Sequence, residues 1–377
     1  MTNEGIKVGL DMARLCRSVL LEKKLKPDYL EQLDLDKLLR VCEYHCLTAM
    51  VCMALEYNGI TPDAKWAEAR AKSIRKNMLL DAERAQITAF LEQEHIWYMP
   101  LKGSVLKDLY PKIGMRQMAD NDILFDASRS NDVRMIMEDL GFTLEGSFGI
   151  SVHDHYNKPP VLNFEMHRAL FGVSHDRSIV EYYQNVKNRL IRDEGSQYGY
   201  HFTDEDFYIY VIAHEYKHYK GSGTGLRSLL DTYVYCNAKW NTLDHEYLDA
   251  EFEKLGVKDF EAQNRSLAMH LFGLETLTAE DEKMLDFMLS AGTYGTTETR
   301  VANGIEKFEG KGFGKVRYLL RRVFLPLDQV REWFPLFIKI PILLPFLPLF
   351  RGVRGLIRRR KQLKVEWDAV MQYKKKG

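Results

Sequence analysis

Three short segments, far apart in the chain, carry residue types that suit one active site: Lys102-Gly103-Ser104, Asp120-Asn121-Asp122 and Phe164-Glu165-Met166-His167. A Gly-Ser turn between a strand and a helix suits a phosphate, because glycine lets the backbone come close and amide N–H groups point outward at a helix start. Asp-x-Asp on a strand sends both carboxylates to one face, since side chains alternate across the pleat. A third carboxylate from a neighbouring strand, Glu165, completes a cage of oxygen ligands for hard divalent cations. The expected metal is Mg2+, two ions, with Asp120 and Asp122 bridging and Glu165 on the ion that faces the acceptor. Gly103 and Ser104 are expected to hold the β- and γ-phosphates of an NTP, with Lys102 or Arg116 countering developing charge. The chemistry is transfer of an NMP group to an acceptor hydroxyl.

These residues need elements to position them. Residues 1–95 read as helical: Leu38, Val41, Cys42, His45, Cys46 and Ala49 recur at spacings of three and four. Thr61-Pro62-Asp63 signals the start of a long helix running towards Glu94, with Thr61 as N-cap and Pro62 at the first helical position. The pattern then changes. Ile96-Trp97-Tyr98-Met99, ended by Pro100, reads as a strand, and residues 104–110 as a short helix stopped by Pro111. Ile123-Leu124-Phe125 continues an apolar strand from Asp122, and a helix capped by Ser128 or Ser130 runs through Leu140, with Gly141 as its C-terminal stop. Residues 161–167 form a further strand. His153 and His155 precede it and read as a solvated polar loop bordering the site. Thr203-Asp204-Glu205-Asp206 opens a helix carrying His214 and His218, and Leu226–Cys236 begins the next. The expected fold is α+β: a small mixed-sheet core at residues 96–175 between helical regions at 1–95 and 176–330, then an apolar and basic tail at 331–377.

The composition is that of an ordinary globular chain. Lys+Arg and Asp+Glu balance at 53 each, so net charge points to no polyanionic partner. Cys16, Cys42, Cys46, Cys52 and Cys236 make an odd, clustered set unlike a secreted disulfide framework, and Glu4, Lys7, Asp11 and Arg14 interrupt any apolar signal segment. The expected compartment is the cytoplasm. Cys42, His45 and Cys46 share a helix face but find no fourth ligand nearby, and read as core.

Leu101-Lys102-Gly103 through Tyr110-Pro111, then Arg116 and Asp120-x-Asp122, resembles the signature of the bacterial uncharacterised nucleotidyltransferases, within the DNA polymerase beta-like nucleotidyltransferase superfamily. That family's third-carboxylate strand reads Glu-x-His, as Glu165-Met166-His167 does, and its helical His-x-x-x-His followed by Leu-Arg and Asp is similar to His214, His218, Leu226-Arg227 and Asp231. The resemblance runs over about residues 35–350. It implies NTP-dependent transfer, and it makes His167, His214, His218, Arg227 and Asp231 substrate-side positions. It names no acceptor, which is left open between protein, small molecule, sugar and RNA. Asn121 departs from the family's β-branched preference, on a side chain that points away from the carboxylates.

Two rival readings use other residues. His214-Glu215-Tyr216-Lys217-His218 fits H-E-x-x-H, in which two imidazoles one helical turn apart bind zinc beside a general-base Glu215, as in a metallopeptidase. Against it, Thr224 stands where the extended form of that motif has its third histidine, and Leu226–Cys236 offers only Asp231. The second rival is a non-catalytic, membrane-peripheral adaptor. Residues 333–350 are strongly apolar but interrupted by Lys339, Pro335, Pro341, Pro345 and Pro348, and residues 351–364 hold seven Arg/Lys and no acid. The prolines rule out a spanning helix. The apolar segment is expected to pack over the helical region, leaving the basic run in solvent for peripheral contact with an anionic membrane.

Overall fold

The computed structural model describes residues 3–146, 148–309 and 313–373. Residues 374–377 of the expected tail lie outside the described residues. The fold is α+β, with a mixed five-stranded sheet set among helices. Its strands are β1 (Tyr98–Pro100), β2 (Asn121–Phe125), β3 (Thr143–Glu145), β4 (His153–Lys158) and β5 (Leu162–His167), in the order β1-β2-β5-β4-β3. Only the β2–β5 pairing is parallel. A two-stranded sheet, β6 (Leu190–Arg192) and β7 (Tyr200–Phe202), lies beside β1 through a bridge from Tyr98 to Gly199.

The sheet's two faces have different jobs because the residues alternate. Ile123, Phe125, Phe164 and Met166 point to one side and are buried against Leu80, Ile87 and Leu91 of the Ala64–Gln93 helix and Val133 and Met137 of the Ser130–Asp139 helix. On the long helix these positions are seven and four residues apart, so one stripe covers the sheet. Each such side chain contributes roughly 1.5–3 kcal/mol by leaving water. Asp63, not Thr61, caps this helix: its carboxylate accepts from the amides of Lys65 and Trp66 at 2.9 and 3.4 Å. A side-chain oxygen there meets the orphan amides of the first turn, and Pro62 stands just outside the helix. The opposite face of the sheet carries Met99 and Leu124 into the helical core, and beside them Asp122, Glu165 and His167.

That helical core draws on both ends of the chain. Met12 and Leu15 from the first helix, Met50 and Leu55 from the Thr48–Tyr57 helix, and Leu267 and Leu271 from the Lys258–Gly273 helix are buried together. Two helices from this part reach the sheet. Asp204–Lys220 is capped by Thr203, whose hydroxyl accepts from the Asp206 amide at 3.0 Å, and it is followed by Leu226–Lys239.

The tail departs from expectation. Residues 333–350 do not pack down on the body: Leu336, Ile340, Ile342, Phe346, Leu349 and Phe350 are all exposed. The prolines break the segment into Pro335–Lys339, a 3₁₀ turn at Pro341–Phe346 and the helix Leu347–Arg358. What holds it is local: Phe334, Phe337 and Phe350 stack on one another, and Leu347 is buried. The helix Arg360–Gln372 docks by Ala369 and Val370 on Val301, Ile305 and Tyr318. Pieces this short have one packing face each, and that face is taken up by the tail itself or by the Thr297–Glu309 and Gly314–Val323 helices just before it. Among the described residues, no helix is long and apolar enough to cross a membrane.

Candidate active site

Asp120 immediately precedes β2 and Asp122 lies within it, so the pleat sends both carboxylates to the helical-core side of the sheet. In the parallel register Asp122 stands opposite Glu165, and the antiparallel partner β4 places His155 opposite Glu165 and His153 opposite His167. One oxygen each from Asp120, Asp122 and Glu165 lies within 4.8 Å of the others. Three imidazoles surround Glu165: His155 Nδ1 at 3.1 Å, His167 Nε2 at 3.3 Å and His153 Nε2 at 3.6 Å. His167 Nε2 also lies 3.6 Å from Asp122 Oδ1, an oxygen that is buried and has no hydrogen-bond partner among the described residues.

The electrostatics are those of crowded like charges. Burial, reinforced by the neighbouring charges of Asp122 and Glu165, pushes Asp120 up to about 6. For Glu165 burial acts in the same direction, but the imidazoles of His155 and His167 outweigh it and hold the group well below the usual carboxylate range. Burial likewise opposes charge on His167, yet Asp122 and Glu165 raise it to about 9. His153, desolvated and next to that cation, falls to about 4. The pair at the site's edge is thus one charged and one neutral imidazole at neutral pH. Lys217 reaches the same region. Burial lowers it to about 8, with Asp122 and Glu165 pulling back. Burial lowers Lys76 as well, Asp120 opposing, and its ammonium donates to the Ala119 carbonyl. Arg227 donates to the Gln117 carbonyl at 3.1 Å, on the segment leading to Asp120.

The Lys102-Gly103-Ser104 turn begins beside the cage. The Leu101 amide donates to the Asp122 carbonyl at 2.9 Å, extending the β1–β2 pairing up to the first residue of the Lys102–Leu106 helix. Helix there starts at Lys102, and a 3₁₀ turn, Lys107–Leu109, completes the stretch read as one helix. The Ser104 hydroxyl donates to the Leu101 carbonyl at 2.7 Å. A Cβ at Gly103 would stand 3.0 Å from Met118 Cε and 3.3 Å from Arg116 Nη1, so glycine is what lets the turn lie against that pair. Lys102 is buried and its ammonium is lowered by desolvation, with Glu215 and Asp231 offsetting. Arg116 and Asp231 form a buried two-pronged pair, Nε to Oδ1 and Nη2 to Oδ2, both at 2.8 Å. Tyr110 adds a third donor to the same carboxylate at 2.8 Å.

Against this geometry, the family model for uncharacterised nucleotidyltransferases matches residues 31–273. The chain belongs to that family. The match contains all three carboxylates, the turn, the histidines of β4 and β5, and Arg227 and Asp231. It ends before the tail, short of the 350 expected from resemblance. No curated protein and no solved structure matches the chain. In this nucleotidyltransferase-family chain His214 and His218 are neighbours, with ring centres 4.7 Å apart, but no third ligand joins them among the described residues. Glu215 turns into the core, where it accepts from Asn264 at 3.2 Å and Thr232 at 3.4 Å. That is no position for a general base over a zinc-bound water.

Two histidines expected in a bordering loop, and one lysine not singled out, lie in the site. His153 and His155 lie on β4, not in a loop. Their strand, His-Asp-His-Tyr-Asn-Lys, has no apolar alternation to announce it, although its inward side holds buried Asp154, tied to Arg168, and buried Tyr156. The period-two spacing of the two histidines was the available signal. Lys217, inside the His-Glu-x-x-His segment, had none.

Proposed function

We propose that this protein transfers an NMP group from an NTP to an acceptor hydroxyl, at Asp120, Asp122 and Glu165: the hydroxyl oxygen bonds to the α-phosphorus, the α–β bridge breaks, and pyrophosphate and the hydroxyl proton leave. The observation that carries the reading is the convergence of these three carboxylates on one face of adjacent parallel strands, in a chain of this family. The donor set fits Mg2+: hard oxygens, one of them a buried Asp122 oxygen with no hydrogen-bond partner among the described residues, and an Asp120 whose charge is disfavoured until a cation arrives. Two divalent ions there would lower the pKa of the acceptor hydroxyl and neutralise the triphosphate.

The chain's own residues do the rest. Asp120 and Asp122 would hold both ions, and Glu165, flanked by the imidazoles of His153, His155 and His167, would hold the one on the acceptor side. Gly103 and Ser104 would take the β- and γ-phosphates, in a turn tied to β2 by the bond from the Leu101 amide to the Asp122 carbonyl. Arg116, bound at two donors by Asp231, supports the turn from beneath, and Lys102 adds positive potential from within the core. Arg227, Lys76 and Lys217 act by charge on the carboxylates and suit the anionic triphosphate. The five free thiols accord with a reducing cytoplasm.

The test is incubation of the purified chain with each α-labelled NTP and Mg2+, followed by a search for label on protein, RNA, sugar and small-molecule acceptors. Label transfer with one NTP, abolished in Asp120→Asn, is expected. Transfer undiminished in that variant would remove the site from the reaction.

A further inference from the structure

The helix Leu347–Arg358 turns its apolar stripe the wrong way for a soluble body. Leu349, Phe350, Val353, Leu356 and Ile357 recur at the one-, three- and four-residue steps of a single helix face. They are 68%, 45%, 50%, 64% and 78% exposed. The packing face is the other one. It holds buried Leu347, half-buried Arg351, whose Nη1 donates to the Val323 carbonyl at 2.9 Å, and Gly355, where a Cβ would meet Leu363 at 3.3 Å. The 3₁₀ turn just before adds Ile342 and Phe346, exposed at 77% and 60%. Large outward apolar faces mark an interaction surface.

Charge says what covers this one. From Phe334 to Val365 the chain holds no Asp or Glu. Arg354 borders the apolar stripe on its own helix, and Arg359, Arg360, Lys361 and Lys364 follow. All five are exposed, and none has an ion pair among the described residues. Phenylalanine, leucine and isoleucine flanked by unpaired arginines and lysines match the two layers of an anionic bilayer surface, acyl chain beneath and phosphate above. RNA would match the charges and leave the apolar stripe wet. The stretch also lies beyond the part matched by the family model.

We infer that the Leu347–Arg358 helix and the basic residues after it dock this chain on the surface of an anionic lipid bilayer. The helix lies in the plane of the interface, its apolar stripe among the upper acyl carbons and its basic flank among headgroup phosphates. It does not span: the prolines before it and its own length prevent that.

Flotation of the full chain with vesicles tests this. Vesicles containing phosphatidylglycerol are expected to carry the chain upward, and vesicles of phosphatidylcholine alone to carry much less. Part of the binding should survive about 1 M salt, where charges are screened beyond about 3 Å, because the apolar stripe remains inserted. The double variant Leu356→Glu/Ile357→Glu changes exposed positions and should melt as wild type does, while its partitioning falls at least about tenfold. Three results would overturn the inference: no flotation of the full chain, equal flotation of the double variant, or binding wholly abolished by salt. So would an RNA complex, or self-association dispersed by the same substitutions, in a chain that does not float.

Discussion

Asp122 faces Glu165 across the one parallel pairing of the sheet, and His167, two residues beyond Glu165, sets its Nε2 between them, 3.6 Å from one carboxylate and 3.3 Å from the other. Three carboxylates at this spacing repel one another. The positive imidazole offsets part of that repulsion, and Asp120 carries what is left.

Asp120 makes that strain measurable. Its pKa of about 6 lies above the ordinary 3.8, so its contribution to stability is fully present below about pH 4 and is lost as pH rises through 6. Asp120→Asn does not titrate. With metal chelated, the variant should match wild type at pH 4 and melt higher at pH 8, by at most about 3 kcal/mol. Parallel melting curves across that range would contradict the account.

Metal binding should release protons. A cation held by Asp120, Asp122 and Glu165 must displace the proton of Asp120, held to about 6, and its charge disfavours the proton of neighbouring His167, held to about 9. Apparent affinity for Mn2+ should therefore rise with pH across 5 to 8, by about tenfold per unit where one proton leaves. Calorimetry in two buffers of different ionisation enthalpy would detect it. Affinity flat from pH 5 to 8 would argue that the ion binds elsewhere.

The Arg116–Asp231 pair is a strut. Both side chains are buried and meet at two points, so removing one leaves an uncompensated charge. Arg116→Ala should cost about 3–5 kcal/mol in a denaturant melt, and Arg116→Lys should recover only part, because an ammonium cannot make the fork. A loss below about 1 kcal/mol for Arg116→Ala would mean that the pair is dispensable to the fold.

The His214–His218 pair should hold no zinc. Glu215 is raised by burial, with Lys102 opposing, and is already engaged by Thr232 and Asn264. Glu215→Gln keeps those contacts and should retain most label transfer. Elemental analysis giving one zinc per chain, lost in His218→Ala, would revive the peptidase reading.

Much of this was legible from local chemistry. The strand–turn–helix order around Gly103, the β2 carboxylates and Glu165 announce themselves because apolar neighbours on both sides force the pleat's alternation. β4 did not, since a strand in which Asp154 is satisfied by Arg168 rather than by burial of apolar groups reads as loop. Thr61 lost its capping role to Asp63 because either residue can supply an oxygen, and local spacing alone does not choose between them. The tail failed for a different reason. Apolar content predicts burial only when a partner surface exists, and Leu356 and Ile357 are covered by none among the described residues.

The central claim is tested most directly by transfer from α-labelled NTP in Mg2+ with wild type and Asp122→Asn compared at equal fold. The account predicts label on acceptor with wild type, none after chelation, and a loss of at least about a thousandfold in Asp122→Asn, whose melt stays within a few degrees of wild type. Metal-independent transfer, or full transfer by Asp122→Asn, would contradict it.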